Sequence, residues 1–150
     1  MSQSLCRTVV HLVFSTKNRV PYLVPQIKEP LRAYLGGILR NQNSPALAVG
    51  TVADHVHILL SQSKNHALAD IVEEVKKSSS KWIKTQGAGF GDFHWQSGYG
   101  GFSVSASRIL AVGRYIRNQE SHHHKNTFQG EFRRFLKEYE IDYDERYVWD

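Results

Sequence analysis

The chain has 150 residues, 41% of them hydrophobic, the usual size for one domain with a single core. Lys and Arg number 19 against 14 Asp and Glu and the pI is ≈ 9.4, a balance that favours a polyanionic partner such as nucleic acid but falls short of a histone-like tail. The only cysteine, Cys6, excludes an intrachain disulfide and a Cys-rich zinc cluster and points to a reducing, cytoplasmic compartment. The start MSQSLCRTVVHLVF lacks the pattern of a signal peptide, and no apolar run approaches the roughly 20 residues of a membrane helix.

In chain order, RTVVHLVFST (residues 7–16) is β-branched and aromatic and reads as a strand, which the two prolines of KNRVPYLVP end. From Gln26 to Asn43, Ile27, Leu31, Leu35, Ile38 and Leu39 recur at helical spacing, with Gly36 and Gly37 softening the middle. ALAVGTVAD and HVHILLS are two β-rich runs joined by a tight connection near Asp54, an antiparallel pair. Leu68, Ile71, Val72, Val75, Trp82 and Ile83 make a long amphipathic helix whose outer face is KKSSSK. A Gly-rich and aromatic stretch then leads to a fourth strand ending near Val104. Ser105 can cap a third helix carrying Ile109, Val112 and Ile116, and a fourth helix runs from about Thr127 to Tyr139. The order strand, helix, strand, strand, helix, strand is that of a ferredoxin-like (RRM-like) α+β fold, an antiparallel sheet with helices on one face, here with two added C-terminal helices. One domain over residues 1–150 is expected.

Within the third run, His55 and His57 interrupt an aliphatic strand. Side chains two apart share a face, so the two imidazoles stand parallel roughly 7 Å apart at the backbone, while Val56 and Ile58 point the other way. Neutral imidazoles so placed can converge on one divalent ion, or can be satisfied by hydrogen bonds at the sheet surface. Tyr115 and Gln119, four apart on the third helix, stack one turn over the other beside its apolar stripe. Tyrosine is a potential covalent nucleophile and glutamine a neutral oxygen ligand.

HVH in a strand and YIRNQ in a later helix, with HLVFSTKNR, GTVADHVHILL, EEVKKSSSKWI, WQSGYGGFSVS and YIRNQESHHHK in this order, resemble the HUH class of single-tyrosine transposases. These small insertion-sequence enzymes act on single-stranded DNA, as do relatives associated with repeated extragenic palindromes. The resemblance spans nearly the whole chain. It implies a ferredoxin-like core with an added catalytic helix, His55, His57 and Gln119 as metal ligands, and Tyr115 as nucleophile. It further implies a 5′-phosphotyrosine intermediate with a free 3′-hydroxyl, hairpin-bearing element ends as substrate, and a homodimer whose sites form within one chain or across two.

That chemistry needs help. A tyrosine of pKa about 10 is only about 0.1% phenolate at pH 7. A divalent ion on the two histidines and Gln119 would stabilise charge developing on the phosphate. Two nitrogens and an amide oxygen suit Mg2+ or Mn2+, with Mn2+ the better match to imidazole, and Zn2+ would also bind. Of the seven tyrosines, Tyr115 has the positive neighbourhood of Arg108, Arg114 and Arg117, whereas Tyr139, Tyr143 and Tyr147 lie among carboxylates. The triplet His122, His123, His124 would fan out over about 200° of a helix and fits a solvated or DNA-contacting end better than a metal site.

Lys76, Lys77, Lys81 and Lys84, with interleaved serines, offer a phosphate-binding helix face, and Lys17, Arg19 and Arg108 are further DNA-binding candidates. The expected partner is single-stranded DNA, and the expected location the cytoplasm, nucleoid-associated when on DNA. Two other readings stay open: a non-catalytic nucleic-acid-binding module, and a metal-dependent phosphodiesterase that activates water on His55 and His57.

Overall fold

In the computed structural model, which describes residues 1–119 and 127–150, four strands form one antiparallel sheet in the order β2-β3-β1-β4. They are β1 (Thr8–Ser15), β2 (Ala46–Val52), β3 (His55–Gln62) and β4 (Gly100–Val104). Between them run α1 (Pro25–Asn41) and α2 (Leu68–Lys84), and after them come α3 (Ile109–Arg117) and α4 (Phe128–Glu138). This is the expected ferredoxin-like order. β3 lies antiparallel to both its neighbours, so β1 and β2 run parallel with β3 between them. None of the described helices is long and apolar enough to cross a membrane.

Alternation divides the two central strands into two chemically different faces. Val10, Leu12 and Phe14 of β1 and Val56, Ile58 and Leu60 of β3 meet Leu31, Leu35 and Leu39 of α1 and Ile71, Val72 and Val75 of α2 in the main core. The other registers, Val9, His11 and Val13 of β1 and His55, His57 and Leu59 of β3, face the added pair α3 and α4 and are also buried. With both faces covered, the central strands read as near-continuous apolar runs.

The second layer sits very close to the sheet. A Cβ on Gly50 would lie 2.2 Å from the Ile116 carbonyl oxygen, so the backbone of α3 rests directly on β2. Likewise a Cβ on Gly100 would lie 2.6 Å from the Phe132 ring of α4. Gly50 is the register partner of His57 on β3, so the missing side chain lets α3 approach beside the histidine.

α4 begins where expected: Thr127 caps it, its hydroxyl accepting from the Gly130 amide at 3.1 Å. The expected cap at Ser105 is not made. That side chain contacts the Ser107 hydroxyl at 3.2 Å, and a 3-10 turn, Ala106–Arg108, intervenes before α3. Ser105 has the extended conformation of a cap, but the tighter turn displaces the start of the α-helix to Ile109.

Gly50→Ala should therefore destabilise the protein by about 2 kcal/mol, the range of overpacking in a tight contact. Urea unfolding measures this, and loss of the near-ultraviolet signal around Tyr115 should accompany the lifting of α3.

Candidate metal and tyrosine site

His55 and His57 project from β3 toward α3 and α4, 2% and 0% exposed, with ring centroids 5.1 Å apart. Buried imidazoles need polar partners, and here each has them. His55 Nδ1 lies 2.7 Å from the Asp54 carboxylate in the β2–β3 turn. His57 is engaged at both nitrogens: Nδ1 is 2.7 Å from His11 Nε2 on β1, and Nε2 donates to Glu131 Oε1 at 2.8 Å. His55 Nε2 stands 3.6 Å from the same Glu131 oxygen.

Glu131 is 4% exposed. It lies on the apolar stripe of α4, where Phe128, Phe132, Phe135 and Leu136 pack onto β4 and β1 and draw the carboxylate in with them. Its second oxygen, Oε2, accepts a short hydrogen bond from the Tyr115 hydroxyl of α3. One carboxylate thus joins the histidine pair to the tyrosine.

These contacts set the proton affinities. Burial would raise the Glu131 carboxyl, but the close approach of His55 and the hydrogen bonds from His57 and Tyr115 outweigh it and hold it well below the usual carboxylate range. Burial opposes charge on His55, yet its hydrogen bond to Asp54 and the nearby Glu131 carboxylate prevail and raise its pKa. His57 is lowered, chiefly by burial. Burial together with the neighbouring His57 drives His11 down to about 3. Tyr115 is pushed up to about 12 by burial and the Glu131 carboxylate, against smaller opposing effects from Gln119 and Arg134. Arg134 Nη2 donates to the Tyr115 oxygen at 3.1 Å.

His55, His57 and Glu131 each offer one ligand atom, all within 4.8 Å of one another. Neighbouring donors to one Mg2+, Mn2+ or Zn2+ ion lie roughly 3 to 3.5 Å apart, so the set would have to draw together by about an ångström to close on one. Two neutral imidazoles and a carboxylate suit such an ion. Ligation by His57 Nε2 requires the proton on Nδ1, and His11 Nε2 is in place to accept it.

Among the residues singled out from sequence, His55, His57 and Tyr115 come together within one chain, with the Tyr115 ring centroid 6.0 Å from that of His57. Gln119 is buried two residues beyond the end of α3, after the non-helical Asn118, rather than one turn along the helix as expected. Its amide nitrogen lies 3.4 Å from the Tyr115 carbonyl, and its side chain also hydrogen-bonds the Tyr115 hydroxyl. Glu131, His11 and Asp54 were not singled out. A charged residue three after Phe128 and four before Phe135, on an apolar stripe, was the available signal for Glu131. The signal for His11 was a histidine two residues from Val9 and Val13 on a strand. His122, His123 and His124 lie outside the described residues.

The basic candidates separate into two groups. Lys17 and Arg19 follow β1 at the end where Ser15 pairs with His55, so they flank the site. Arg19 also stands over the Trp149 ring at 5.9 Å. Arg108 is exposed in the turn before α3. Lys77 and Lys81 are exposed on α2, in the layer on the opposite face of the sheet from the histidines. Lys76 turns inward: its ammonium donates to the carbonyls of Gln96, Ser97 and Gly98 at 2.7, 3.2 and 2.6 Å, and burial lowers its pKa to about 8.

The sequence pattern of the family described as Transposase IS200 like matches residues 4–119. The ISDra2 transposase TnpA of Deinococcus radiodurans is 27% identical over 114 residues, 73% of this chain and 81% of its own. A crystal structure of a candidate transposase from Deinococcus radiodurans R1 superposes with a TM-score of 0.62 at 24% identity, covering 79% of this chain and 98% of that one. A REP-associated tyrosine transposase bound to a REP hairpin gives 0.61 at 15% identity, covering 82% of this chain and 74% of that one. The family match ends at Gln119, so α4 and its Glu131 lie beyond it.

His11 gives the site a pH signature. As pH falls below about 6.5 the unfolded chain takes a proton on this histidine while the folded chain, at about 3, does not, so stability falls with pH across that window. One such proton corresponds to about 1.4 kcal/mol per pH unit. His11→Asn should remove that much of the slope between about pH 6 and pH 4, measured by urea unfolding in chelator.

Proposed function

The chain belongs to the IS200-like transposase family, and on that premise we propose that it cleaves and rejoins single-stranded DNA by transesterification with Tyr115 as nucleophile. The observation that carries this reading is the Glu131 carboxylate, whose two oxygens engage the His55 and His57 pair on one side and the Tyr115 hydroxyl on the other. A phenol fixed at a three-donor cation site is suited to attack on a phosphodiester and has no evident use in a passive binding surface.

In the proposed reaction the scissile phosphate lies against the Tyr115 hydroxyl. The bond from the phenolic oxygen to phosphorus forms, the bond from phosphorus to the 3′ oxygen breaks, and the DNA keeps a 5′-phosphotyrosine link while the 3′ oxygen takes up a proton. With a pKa of about 12, Tyr115 is phenolate on the order of 10⁻⁵ of the time at pH 7, so the phenol must lose its proton as the new bond forms. In this reading Glu131 Oε2, which accepts the phenol's hydrogen bond but is too acidic to keep its proton, passes that proton on to water, from which the 3′ oxygen is reprotonated, and Arg134 Nη2 holds the phenolic oxygen as negative charge gathers there.

His55, His57 and Glu131 would hold a divalent ion, Mg2+ or Mn2+, with Gln119 as an additional amide ligand. Bound there, the ion supplies Lewis-acid stabilisation of the phosphate's developing charge. His11 and Asp54 orient the two imidazoles from behind.

The proposed partner is single-stranded DNA with hairpins at the element ends, and the working unit a homodimer in the cytoplasm, nucleoid-associated when on DNA. The whole chain, residues 1–150, would act as one domain. Lys17, Arg19 and Arg108 would guide the strand at the site, and Lys77 and Lys81 a segment that passes around the sheet. With these five contacts the log of affinity should fall with the log of salt at a slope of about −3.5. Lys76, occupied by three carbonyls, would brace the loop before β4.

Incubated with Mn2+ or Mg2+ and hairpin-bearing single strands from the regions flanking its own gene, the protein should form a covalent adduct that denaturing gels resolve and Tyr115→Phe abolishes. Cleavage that persists in that variant would indicate water as the nucleophile, and binding without cleavage a passive module. Glu131→Gln should weaken Mn2+ binding by more than about 10-fold to 100-fold, the loss expected for even an outer partner of a ligand, read by calorimetry without DNA.

The arrangement within one chain makes a separate prediction. Mixed dimers of Tyr115→Phe and His57→Ala protomers should stay inactive, because neither chain then carries both groups. Recovery of about half the wild-type adduct would show that the tyrosine serves the neighbouring protomer.

A further inference from the structure

Beside Tyr115, on the side where Arg134 meets its hydroxyl, a cavity of ≈ 530 Å³ opens between the edge strand β4, the start of α3 and the last turn of α4. Tyr115, Arg134 and Arg108 line it, but the proposed reaction gives its interior no occupant. Its volume is in the range of pockets that enclose one nucleotide-sized ligand. Arg108 and Arg134 supply two guanidinium groups, Ser105 a hydroxyl and Glu138 a carboxylate. Tyr139 forms a fixed wall: its hydroxyl donates to the Ser103 carbonyl at 2.8 Å, and its ring packs 4.9 Å from Phe102. Two cations facing one carboxylate leave the cavity net positive.

We propose that this cavity is a nucleotide subsite that takes the nucleotide immediately 3′ of the scissile phosphate and reads its base. The proposal rests on the function proposed above. In an in-line displacement the leaving 3′ oxygen lies on the far side of phosphorus from Tyr115, so the departing nucleotide is directed away from this cavity. The nucleotide attached through its 5′ oxygen, which stays bound to the tyrosine, is the one within reach. The guanidinium groups of Arg108 and Arg134 match its phosphates, and Tyr139 offers a surface for its base. Glu138 can only accept hydrogen bonds, so it favours a base edge with N–H donors. Guanine presents two adjacent ones, at N1 and N2. Thymine presents a single N–H between two carbonyls, which the carboxylate repels.

The test uses the full-length protein with Mn2+ and an oligonucleotide it cleaves, made with each of the four bases or an abasic residue immediately 3′ of the cleaved bond. Single-turnover adduct formation should be about tenfold faster with guanine than with thymine, and the abasic strand should lose about tenfold or more. Glu138→Gln should flatten or reverse the guanine preference while leaving the melting temperature and the rate with the abasic strand unchanged. Arg108→Gln should weaken all four strands alike, by about threefold to tenfold. Equal rates for the four bases and the abasic strand, or a guanine preference kept in full by Glu138→Gln, would overturn the subsite. Failure of any strand to form an adduct, or an adduct that survives Tyr115→Phe, would instead overturn the function on which it rests.

Discussion

A carboxylate taken out of water must find donors, and the position of Glu131 at 4% exposure is tenable only because three side chains from two other elements point at it. His55 and His57 reach it from β3 and Tyr115 from α3, while α4 carries it. His57 passes the connection on to His11 of β1. The polar chain therefore ties two strands to both added helices in the middle of an otherwise aromatic layer. Such a network is costly if any member is missing and rigid when complete.

The sheet keeps this network apart from the bulk of the core. Aliphatic packing against α1 and α2 occupies one face, and the polar site, ringed by Phe102, Phe128, Phe132 and Phe135, occupies the other. Because the two faces use alternate residues of the same strands, the stabilising layer places no demand on the identity of His11, His55 or His57. The second layer depends instead on close approach. Gly50 brings the α3 backbone against β2 beside His57, and Gly100 lets the Phe132 ring lie on β4. A larger residue at either place would move a helix that carries a site residue.

Charge follows the same division. The cations at the end of β1 and before α3 lie with the site, whereas those of α2 lie across the sheet, so a DNA strand contacting both groups must turn around an edge of the sheet. Lys76 shows how a basic run can mislead. Its neighbour Lys77 is exposed, but one step around the helix the ammonium meets the loop before β4 and binds three carbonyls.

Local chemistry was enough to read the strand and helix order and the sharing of one face by His55 and His57, because periods of 2 and 3.6 are properties of the backbone itself, whereas α3 ends at Arg117 and leaves Gln119 beyond the helix that carries Tyr115. Their sequence order carried the family resemblance, and the match to residues 4–119 agrees with it. What the linear chain could not specify was which distant side chains share a volume. Glu131 lies 74 residues from its partner His57, and His11 lies 46 residues from it on the other side. Only the packing of α4 on β4 and of β1 on β3 brings them together. A buried glutamate on a helix is paired by the fold rather than by its neighbours in sequence. For that reason the carboxylate that bridges imidazole and phenol emerged from the tertiary structure alone.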